Sequence, residues 1–506
     1  MTDPATLLLL DGGDDVAVAP RPLAAGQVVA LGSDRLAVAD DIPAGHKIAR
    51  RDLEPGAAVH KYGQTIGQAV IPIRAGQHVH SHNLAILDPA PRTATVPALA
   101  GRPALPAGGP DSFWGYRRPD GRAATRNYIG LVTSVNCAAG TAKLIARRFE
   151  DRLADHPTVD GVVALTHDSG CGWIAGSNGA ELFRRTLLGT ALHPNFAALV
   201  VIGLGCEMLL PGDLLDDLGN RAAACLTIQE QGGVKATVEA GVAAVERLLP
   251  LVGQARRQPI SCSELVLAVK CGGSDAYSGI SANPALGRAA DRLVAAGGRV
   301  VLGETPELHG AEHLLTGRAT SAAAAERLRR RMDWWRDHTA AHQGGLDHNP
   351  SPGNKAGGLT TIWEKSLGAV AKAGSSPLVD VVDYAEAVTR PGLTFMDTPG
   401  YDPVSVTGLV AGGAHLVAFT TGRGSVFGCR PAPCLKIASN SQIYQRMDGD
   451  LDLDAGGVID GRTSLEAMGE TIFQRLVEVA SGRQTAAETL GLGGDEFVPW
   501  QLGAVV

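Results

Sequence analysis

The feature that most constrains the fold is an alternation, from residue 112 onward, of short apolar stretches with helix-length segments. Apolar strands that alternate with helices favour a parallel sheet covered by helices on both faces. A gap near 254–261 divides the alternation into two runs, so the sequence predicts two α/β domains, at 112–253 and 262–506. The predicted strands include these stretches: 129–135, 162–166, 199–202, 265–269, 299–302 and 416–419.

Residues 1–84 have a different pattern. Brief apolar or alternating stretches at 16–19, 27–30 and 36–39 are separated by turns rich in Gly and Pro, with no helix-length period. This pattern predicts a small all-β domain. Six prolines within 85–111 break any regular element, so we expect a linker there.

The composition excludes several classes of function. A net charge of −7 without a long basic stripe argues against a nucleic-acid-binding surface. The longest apolar runs, such as 197–202, are far too short to cross a bilayer, and the N-terminus lacks the basic start of a signal peptide. We therefore expect a cytoplasmic protein with no membrane partner, whose eight cysteines are reduced.

Reactive side chains fall repeatedly just after predicted strands. Cys137, Cys171, Cys206 and Cys271 each follow one. In open α/β sheets, ligands bind outside the carboxyl ends of the strands, so this placement predicts an enzyme whose site is built from loops. The four thiols could bind iron, hold an iron–sulfur cluster, or pack at helix starts, and no CxxC pair decides between these.

Histidines are concentrated near the end of the β domain. His78, His80 and His82 alternate along a predicted strand, so their imidazoles could converge on one divalent metal. The alternative is a polar face on an exposed strand. His46 and Lys47 follow a Pro–Gly turn, where they could join that site or contact a carboxylate, or lie in a solvated turn.

Three loops carry further candidates. His167 lies on a tight loop that suits a general base or a ligand, although backbone groups could equally satisfy its ring. Arg423, between two glycines, suits a carboxylate or phosphate. The loop 349–358 is rich in Pro and Gly, and its Asn354 and Lys355 could clamp a substrate if the loop is more than a connector.

Taken in order, these motifs resemble the altronate and galactarate dehydratases over nearly the whole chain, and the N-terminal segment is similar to the SAF (β-clip) domain of that family. The chain departs from the family at Asp168 and Ser169, where the family has Thr-Tyr, and at Lys270, where it usually has an acidic residue. The matching segments are 15–19, 45–47, 61–63, 79–83, 115–118, 126–127, 203–207, 271–275, 283–284, 304–307, 349–358 and 421–424.

The resemblance implies an α/β fold class in which a small SAF-like β-clip domain precedes two α/β domains with parallel sheets. It implies a hydro-lyase that acts on a hexonate or hexarate sugar acid and leaves a 2-keto-3-deoxy acid. It also implies Fe²⁺ or Mn²⁺, with an iron–sulfur cluster as the alternative, and a SAF domain that helps to form the active site. For an enzyme of this kind we expect a homodimer.

Dehydration of such an acid needs a metal or other electrophile, a base and anchors for the carboxylate. The expected metal ligands are His80 and His82, with four thiols as alternatives: Cys137, Cys171, Cys206 and Cys271. The expected catalytic groups are His167 or Lys355 as the base, with His46 and Lys47 as further candidates. The expected substrate anchors are Arg126, Asn354, Arg423 and Asp275.

Two other functions stay open at this point. The same scaffold resembles sulfolactate sulfo-lyase, which expels sulfite instead of water. In another class, the chain could be a sugar-acid-binding protein without catalytic activity, which a ligand would stabilise against heat without being consumed.

Overall fold

The computed structural model describes residues 7–32, 34–87, 109–218 and 222–503. Most of the predicted linker 85–111 lies outside these ranges. Among the described residues, no helix is both long and apolar enough to span a membrane.

The N-terminal domain consists of short antiparallel strands. They form three small sheets, ordered β1-β4-β7, β2-β3 and β5-β6-β8. Alternate side chains point inward, and Ile48, Val59, Ile66 and Val79 are fully buried. The strands are β1 (Val16–Val18), β2 (Val28–Leu31), β3 (Asp34–Ala37), β4 (Lys47–Ala49), β5 (Ala58–Lys61), β6 (Gln64–Ala69), β7 (His78–Val79) and β8 (Leu84–Ala85).

The second domain is a parallel sheet of order β12-β11-β13-β14, with helices on both faces. Every residue of the central strand is buried: Ile129 and Leu131 face a cluster with α1 and α4, whereas Val132 faces α2 and α3. The elements are β11 (Tyr128–Thr133), α1 (Ala139–Arg147), β12 (Gly161–Leu165), α2 (Asn178–Ala191), β13 (Phe196–Gly203), α3 (Pro211–Leu218), β14 (Ala222–Thr227) and α4 (Val234–Val252).

The third domain contains a larger parallel sheet of order β18-β19-β17-β16-β20-β21-β22. Helices again cover both faces of the sheet. The strands are β16 (Val266–Cys271), β17 (Arg299–Leu302), β18 (Leu378–Val382), β19 (Gly392–Met396), β20 (Leu416–Thr421), β21 (Cys434–Ala438) and β22 (Leu453–Asp454). The helices are α5 (Ala282–Ala295), α6 (Glu312–Thr316), α7 (Ala322–Ala341), α8 (Pro352–Ala356), α9 (Ile362–Val370), α10 (Asp402–Ala411), α11 (Ser441–Arg446), α12 (Leu465–Ala480) and α13 (Ala486–Thr489).

A short antiparallel sheet joins these two domains. Strand β9 (Ser112–Arg117) pairs with β10 (Ala123–Ala124) on one side and with β15 (Gln258–Ser261) on the other, so the sequence gap near 254–261 contains a strand. The C-terminal segment also returns to the second domain, where Phe497 packs in the same core as Val132.

The predicted fold class is confirmed: a SAF domain precedes α/β domains with parallel sheets. In each parallel sheet the loops after the strands meet at one edge, which is where such sheets bind ligands. These two edges hold seven of the residues singled out above: Cys137, His167, Cys171, Cys206, Cys271, Asp275 and Arg423.

Candidate active site

Four histidines of the β domain form a cluster against the loop 349–358 of the third domain. The ring centroids of His46 and His78 are 5.1 Å apart, those of His46 and His80 are 4.9 Å apart, and those of His78 and His82 are 5.5 Å apart. Strand β7 and the turn after it carry three of these rings, and the turn before β4 carries His46. We call His46, His78, His80 and His82 the histidine cluster.

The ring nitrogens of this cluster contact one another and the loop. The Nδ1 atom of His46 lies 2.9 Å from Nε2 of His78. His80 Nε2 donates to the Lys355 carbonyl at 2.9 Å, and His46 Nε2 lies 3.4 Å from the Ala356 carbonyl. Burial lowers the pKa of His46 and of His78 to about 4, so both rings are neutral near pH 7 and can offer lone pairs.

The predicted metal ligands His80 and His82 stay a prediction, and the contacts of their rings limit how they could bind an ion. His80 uses Nε2 on the Lys355 carbonyl and its Nδ1 lies 3.0 Å from the Ser81 hydroxyl, so this ring is already satisfied. Nδ1 of His46 and Nε2 of His78 are likewise engaged, in a hydrogen bond to each other at 2.9 Å. In the described part of the chain, no three ligand atoms of this cluster lie within 4.8 Å of one another. His80 and His82 therefore form no preassembled metal site.

A buried ion triplet fixes the β domain to the third domain. Glu364 accepts from Lys47 Nζ at 2.9 Å and from Lys61 Nζ at 2.7 Å, and Lys47 also donates to the Gly358 carbonyl at 2.7 Å. Burial, then the charge of Lys61, lowers the pKa of Lys47 to about 8 even though Glu364 opposes this. All three side chains are almost completely buried, so Lys47 holds the loop in place, and its catalytic role stays a prediction.

Two glycines allow the close approach of the two domains. A Cβ on Gly358, where φ is +96°, would lie 2.6 Å from the Gly45 carbonyl oxygen. Any larger residue at 358 would push the loop away from the turn that carries His46.

Two of the predicted substrate anchors hold the loops together. Asp275 Oδ1 accepts from Ser278 and Ser439 hydroxyls at 2.8 Å, and its Oδ2 accepts from Asn440 at 3.0 Å. Asn354 caps the short helix α8 through Ser351 and donates to the Ser274 carbonyl at 2.8 Å. Both side chains are buried and hydrogen-bonded to the protein, and their role as substrate anchors stays a prediction.

Two cationic side chains beside this region have no partner. Neither Lys355 nor Arg423 makes a side-chain hydrogen bond or ion pair with any residue that the structure describes. Arg423 is exposed, and a Cβ on Gly357 would lie 3.3 Å from its Cδ, so its side chain lies against the loop 349–358. Lys355 contacts the histidine cluster through its carbonyl, and Arg423 contacts the loop that carries Lys355.

Two other predicted residues have structural roles. Arg126 is 2% exposed, and its guanidinium is saturated by the Glu488 carboxylate and backbone carbonyls, including that of Val479. His167 is buried, its Nε2 donates to the Thr133 carbonyl at 2.9 Å, and its Nδ1 accepts the Ser169 N–H at 3.2 Å. Both side chains are thus fully engaged with the protein, and their roles as an anchor and a base stay predictions.

The four predicted thiols fall into two places. Cys137, Cys171 and Cys206 are exposed on the loops after β11, β12 and β13, and we call them the thiol edge. Cys271 is buried in the third domain, where Lys372 Nζ donates to its sulfur at 2.8 Å. The four thiols are therefore divided between two sheets, and Cys271 lies apart from the other three.

Cys271 belongs to a buried ion-pair network at the carboxyl ends of β16 and β17. Its sulfur and the carboxylates of Glu304 and Glu307 are the one trio of potential metal ligands within 4.8 Å among the described residues. Lys270 and Lys372 pair with Glu304, and Lys365 pairs with Glu307 at 2.6 Å. Since these lysines already balance the carboxylates, the trio is an ion-pair network and not a cation site.

Sequence reasoning missed the residues that organise these sites. Glu364 pairs with lysines more than 300 positions away, and Glu304 adopts a left-handed backbone with φ of 70° inside a buried charge network. No local pattern marks either residue. Glu364 and Glu304 acquire these roles from partners that the fold brings together, and side-chain periodicity does not predict such partners.

Comparison with known families covers all three domains. A family model described as the altronate/galactarate dehydratase SAF domain matches residues 5–87. A model of the D-galactarate dehydratase/altronate hydrolase second domain matches 115–253, and a model of the D-galactarate/altronate dehydratase C-terminal region matches 262–505.

Several curated proteins are similar over most of their length. Altronate dehydratase of Escherichia coli is 38% identical over 483 residues, covering 94% of this chain and 95% of that protein. Galactarate dehydratase (L-threo-forming) of the same organism is 37% identical over 471 residues, covering 91% and 90%. The (2R)-sulfolactate sulfo-lyase subunit beta of Chromohalobacter salexigens is 33% identical over 384 residues, covering 75% and 95%.

Proposed function

The chain belongs to the altronate and galactarate dehydratase family, whose members are hydro-lyases, and on that premise we propose that it dehydrates a hexonate or hexarate sugar acid to a 2-keto-3-deoxy acid. The observation that carries this proposal is the pair of unpartnered cations, Lys355 and Arg423, beside four clustered imidazoles. A sugar acid offers the carboxylate and hydroxyl groups that such a site recognises.

Binding starts from the guanidinium of Arg423. A planar guanidinium can donate two parallel hydrogen bonds to a carboxylate, which fixes the plane of the acid and the direction of the next carbon. The backbone N–H of Arg423 donates to the Gly273 carbonyl at 2.8 Å. The guanidinium has no partner among the described residues and can therefore bind a carboxylate.

Proton removal is assigned to Lys355. Its carbonyl accepts from His80, which ties the backbone of this residue to the histidine cluster, while its amine has no partner among the described residues. The neutral amine of Lys355 removes the proton next to the carboxylate, and the ammonium that forms returns it to the neighbouring hydroxyl, which leaves as water. The enol that remains tautomerises to the keto acid, so the net change is the loss of one water.

Divalent iron or manganese suits imidazole ligands, and the histidine cluster, whose neighbouring ring centroids lie 4.9–5.5 Å apart, would hold it. Bound there, the ion would supply Lewis-acid polarisation of the carboxylate and the 2-hydroxyl.

A screen of the purified protein under anaerobic conditions with added Fe²⁺ tests the proposal. Aldonates, aldarates and sulfolactate are each incubated with the enzyme, and keto acid is followed as its semicarbazone. We expect keto acid from one sugar acid and none from sulfolactate. Thermal stabilisation by a sugar acid without any turnover would instead indicate a binding protein.

The second candidate is a sulfo-lyase. It is favoured by the similarity to the sulfolactate sulfo-lyase beta subunit, which covers 95% of that protein. Release of sulfite from sulfolactate in the same screen would select this function over dehydration.

A further inference from the structure

A cavity lies between the second and third domains, apart from the histidine cluster. Its walls come from α2 of the second domain, from α7 and the loops after β18 and β19 of the third domain, and from the C-terminal segment. Its volume of about 340 Å³ is in the range of sites that bind small molecules. Because the loops after β18 and β19 follow parallel strands, the cavity lies at the sheet edge where such folds bind ligands.

Aromatic side chains form one wall of this cavity. Trp334 and Trp500 line it, with ring centroids 5.9 Å apart and ring planes at 86° to each other. Trp500 also stacks on the buried Trp335, with centroids 5.5 Å apart and planes within 6° of parallel, and it contacts Tyr384 at 5.4 Å. We call this space the tryptophan cavity.

Hydrogen bonds hold the supporting rings in place. Trp335 Nε1 donates to Asp397 Oδ1 at 2.8 Å, and the Tyr384 hydroxyl donates to the Val404 carbonyl at 2.6 Å. The indole N–H groups of Trp334 and Trp500, in contrast, have no partner among the described residues. The wall is therefore rigid, and two of its donors remain available to a ligand.

Two charged side chains of α2 are also available. Glu181 and Arg185 both line the cavity and lie one helical turn apart. Both are exposed, and neither side chain makes a hydrogen bond or ion pair with any residue that the structure describes. Arg331 differs, because it pairs with Asp383 and lies 3.6 Å from the Asp397 carboxylate. The cavity thus keeps one free guanidinium and one free carboxylate.

These free groups define the chemistry of a ligand. A guanidinium binds a carboxylate through two parallel hydrogen bonds. A hydroxyl both donates and accepts, so the hydroxyls of a ligand can use the Glu181 carboxylate and the indole N–H groups together. The C–H groups of a polyhydroxylated chain can pack on the negative face of an indole ring. A polyhydroxylated carboxylate meets all of these requirements.

An α-amino acid meets fewer of them. Its carboxylate and ammonium groups could pair with Arg185 and Glu181, and its side chain could pack on the indole rings. It has no row of hydroxyl groups to accept from the N–H groups of Trp334 and Trp500. The free donors therefore favour the polyhydroxylated acid.

We propose that the tryptophan cavity is a second sugar-acid site, which binds the carboxylate on Arg185 and the hydroxyl groups on Glu181, Trp334 and Trp500. The choice of a sugar acid as the ligand rests on the proposed function. The site takes no part in the dehydration. Among the described residues, no hydrogen bond or ion pair joins a side chain that lines the cavity to one of the four imidazoles.

The test is a titration of the full-length Arg423→Ala variant, which lacks the proposed anchor of the catalytic site, with D-galactarate and separately with D-gluconate. Isothermal titration calorimetry and tryptophan fluorescence follow binding, and we expect one saturable site per chain for at least one of the acids. Adding Arg185→Ala should weaken binding about 10–100-fold, because a charge-assisted contact is lost. Arg185→Lys should restore only part of the affinity, since an ammonium cannot form the two parallel bonds.

Matched variants control for charge and for the optical signal. Arg330→Ala, on the exposed side of α7 and outside the cavity lining, should keep the affinity of the Arg423→Ala parent. Trp334→Phe should reduce the fluorescence change on binding, whereas Trp114→Phe, at an exposed position away from the cavity lining, should not. Because Arg185 is exposed, its variants should keep the parent's thermal unfolding temperature, which shows that they fold.

Three results would each overturn the proposal. They are no saturable binding of either acid, the same affinity with and without Arg185→Ala, and tighter binding of L-phenylalanine than of both sugar acids. None of these measurements needs turnover. A chain that binds the acid in the cavity but forms no keto acid would contradict the dehydration proposal alone, and a chain that forms keto acid without this binding would contradict the second site alone.

Discussion

The histidine cluster and the thiol edge show two different ways in which loops at a sheet edge become a site. Around the histidine cluster most polar groups already have protein partners, and Glu364, Asp275 and Asn354 serve to hold the loops. At the thiol edge the supporting bonds come from the backbone and Glu207, and the thiols themselves are left exposed. Around the histidine cluster, the groups without a protein partner among the described residues are the candidates for binding substrate. At the thiol edge, the exposed thiols themselves are the candidates.

The largest effect expected from this comparison is on catalysis at the loop 349–358. Lys355→Ala should lower kcat by about 10²–10⁴-fold, because it removes the proposed base. Steady-state keto-acid formation measures this, with the exposed Lys235→Ala as the control. A small external amine should restore part of the rate. If the variant kept the wild-type kcat, Lys355 would not be the base, and the assignment of catalysis to the loop 349–358 would be wrong.

The next effect is on stability. Glu364→Gln leaves Lys47 and Lys61 buried without their carboxylate, which should cost about 3–5 kcal/mol of unfolding free energy. Urea unfolding followed by circular dichroism would measure the loss. Glu326→Gln breaks only an exposed pair with Arg329 and should cost less than about 0.5 kcal/mol. Equal costs for the two variants would show that the triplet does not fix the β domain.

A smaller effect is expected from the anchor. Arg423→Ala should lower kcat/KM by about 10–100-fold, because one charge-assisted contact of roughly 1.5–3 kcal/mol is lost. Most of the change should appear in KM if Arg423 binds the carboxylate equally throughout the reaction. Arg446→Ala, at the end of α11, is the control. If KM were unchanged in Arg423→Ala, the substrate carboxylate would bind to a group other than Arg423.

The smallest effect concerns acid sensitivity beneath the thiol edge. Burial lowers the pKa of His167 below 6.5, so the unfolded chain binds more protons than the folded one as pH falls through that range. Stability is thus full above about pH 6.5 and declines as the pH falls toward the lower folded-state pKa. Thermal unfolding from pH 8 to pH 4.5 should show this decline, and His167→Asn should reduce it. The exposed His342→Gln should not; an identical pH profile for both variants would contradict the role of His167.

The sequence predicted the architecture well because strand and helix patterns are local. The alternation after residue 112 and the short strands before 84 follow from side-chain periodicity, and both kinds of domain are present. The loops after the strands could also be predicted, since parallel strands end at one edge.

The roles within those loops could not be predicted, because they depend on partners distant in the chain. Arg126 and His167 lie at strand ends as an anchor and a base would, yet Glu488 and the Thr133 carbonyl satisfy them. Cys271 follows a strand as the other three thiols do, but its strand belongs to a different sheet. A residue that follows a parallel strand can be predicted to lie at the edge of the sheet. Whether its side chain is buried there cannot be predicted from that position.

The most direct test of the central claim is a crystal structure of the Lys355→Ala variant with the sugar acid that the screen identifies. The account predicts that the acid lies between the histidine cluster and the loop 349–358, with its carboxylate on the Arg423 guanidinium. An acid bound instead at the thiol edge, with Arg423 unoccupied, would contradict the assignment of dehydration to the histidine cluster.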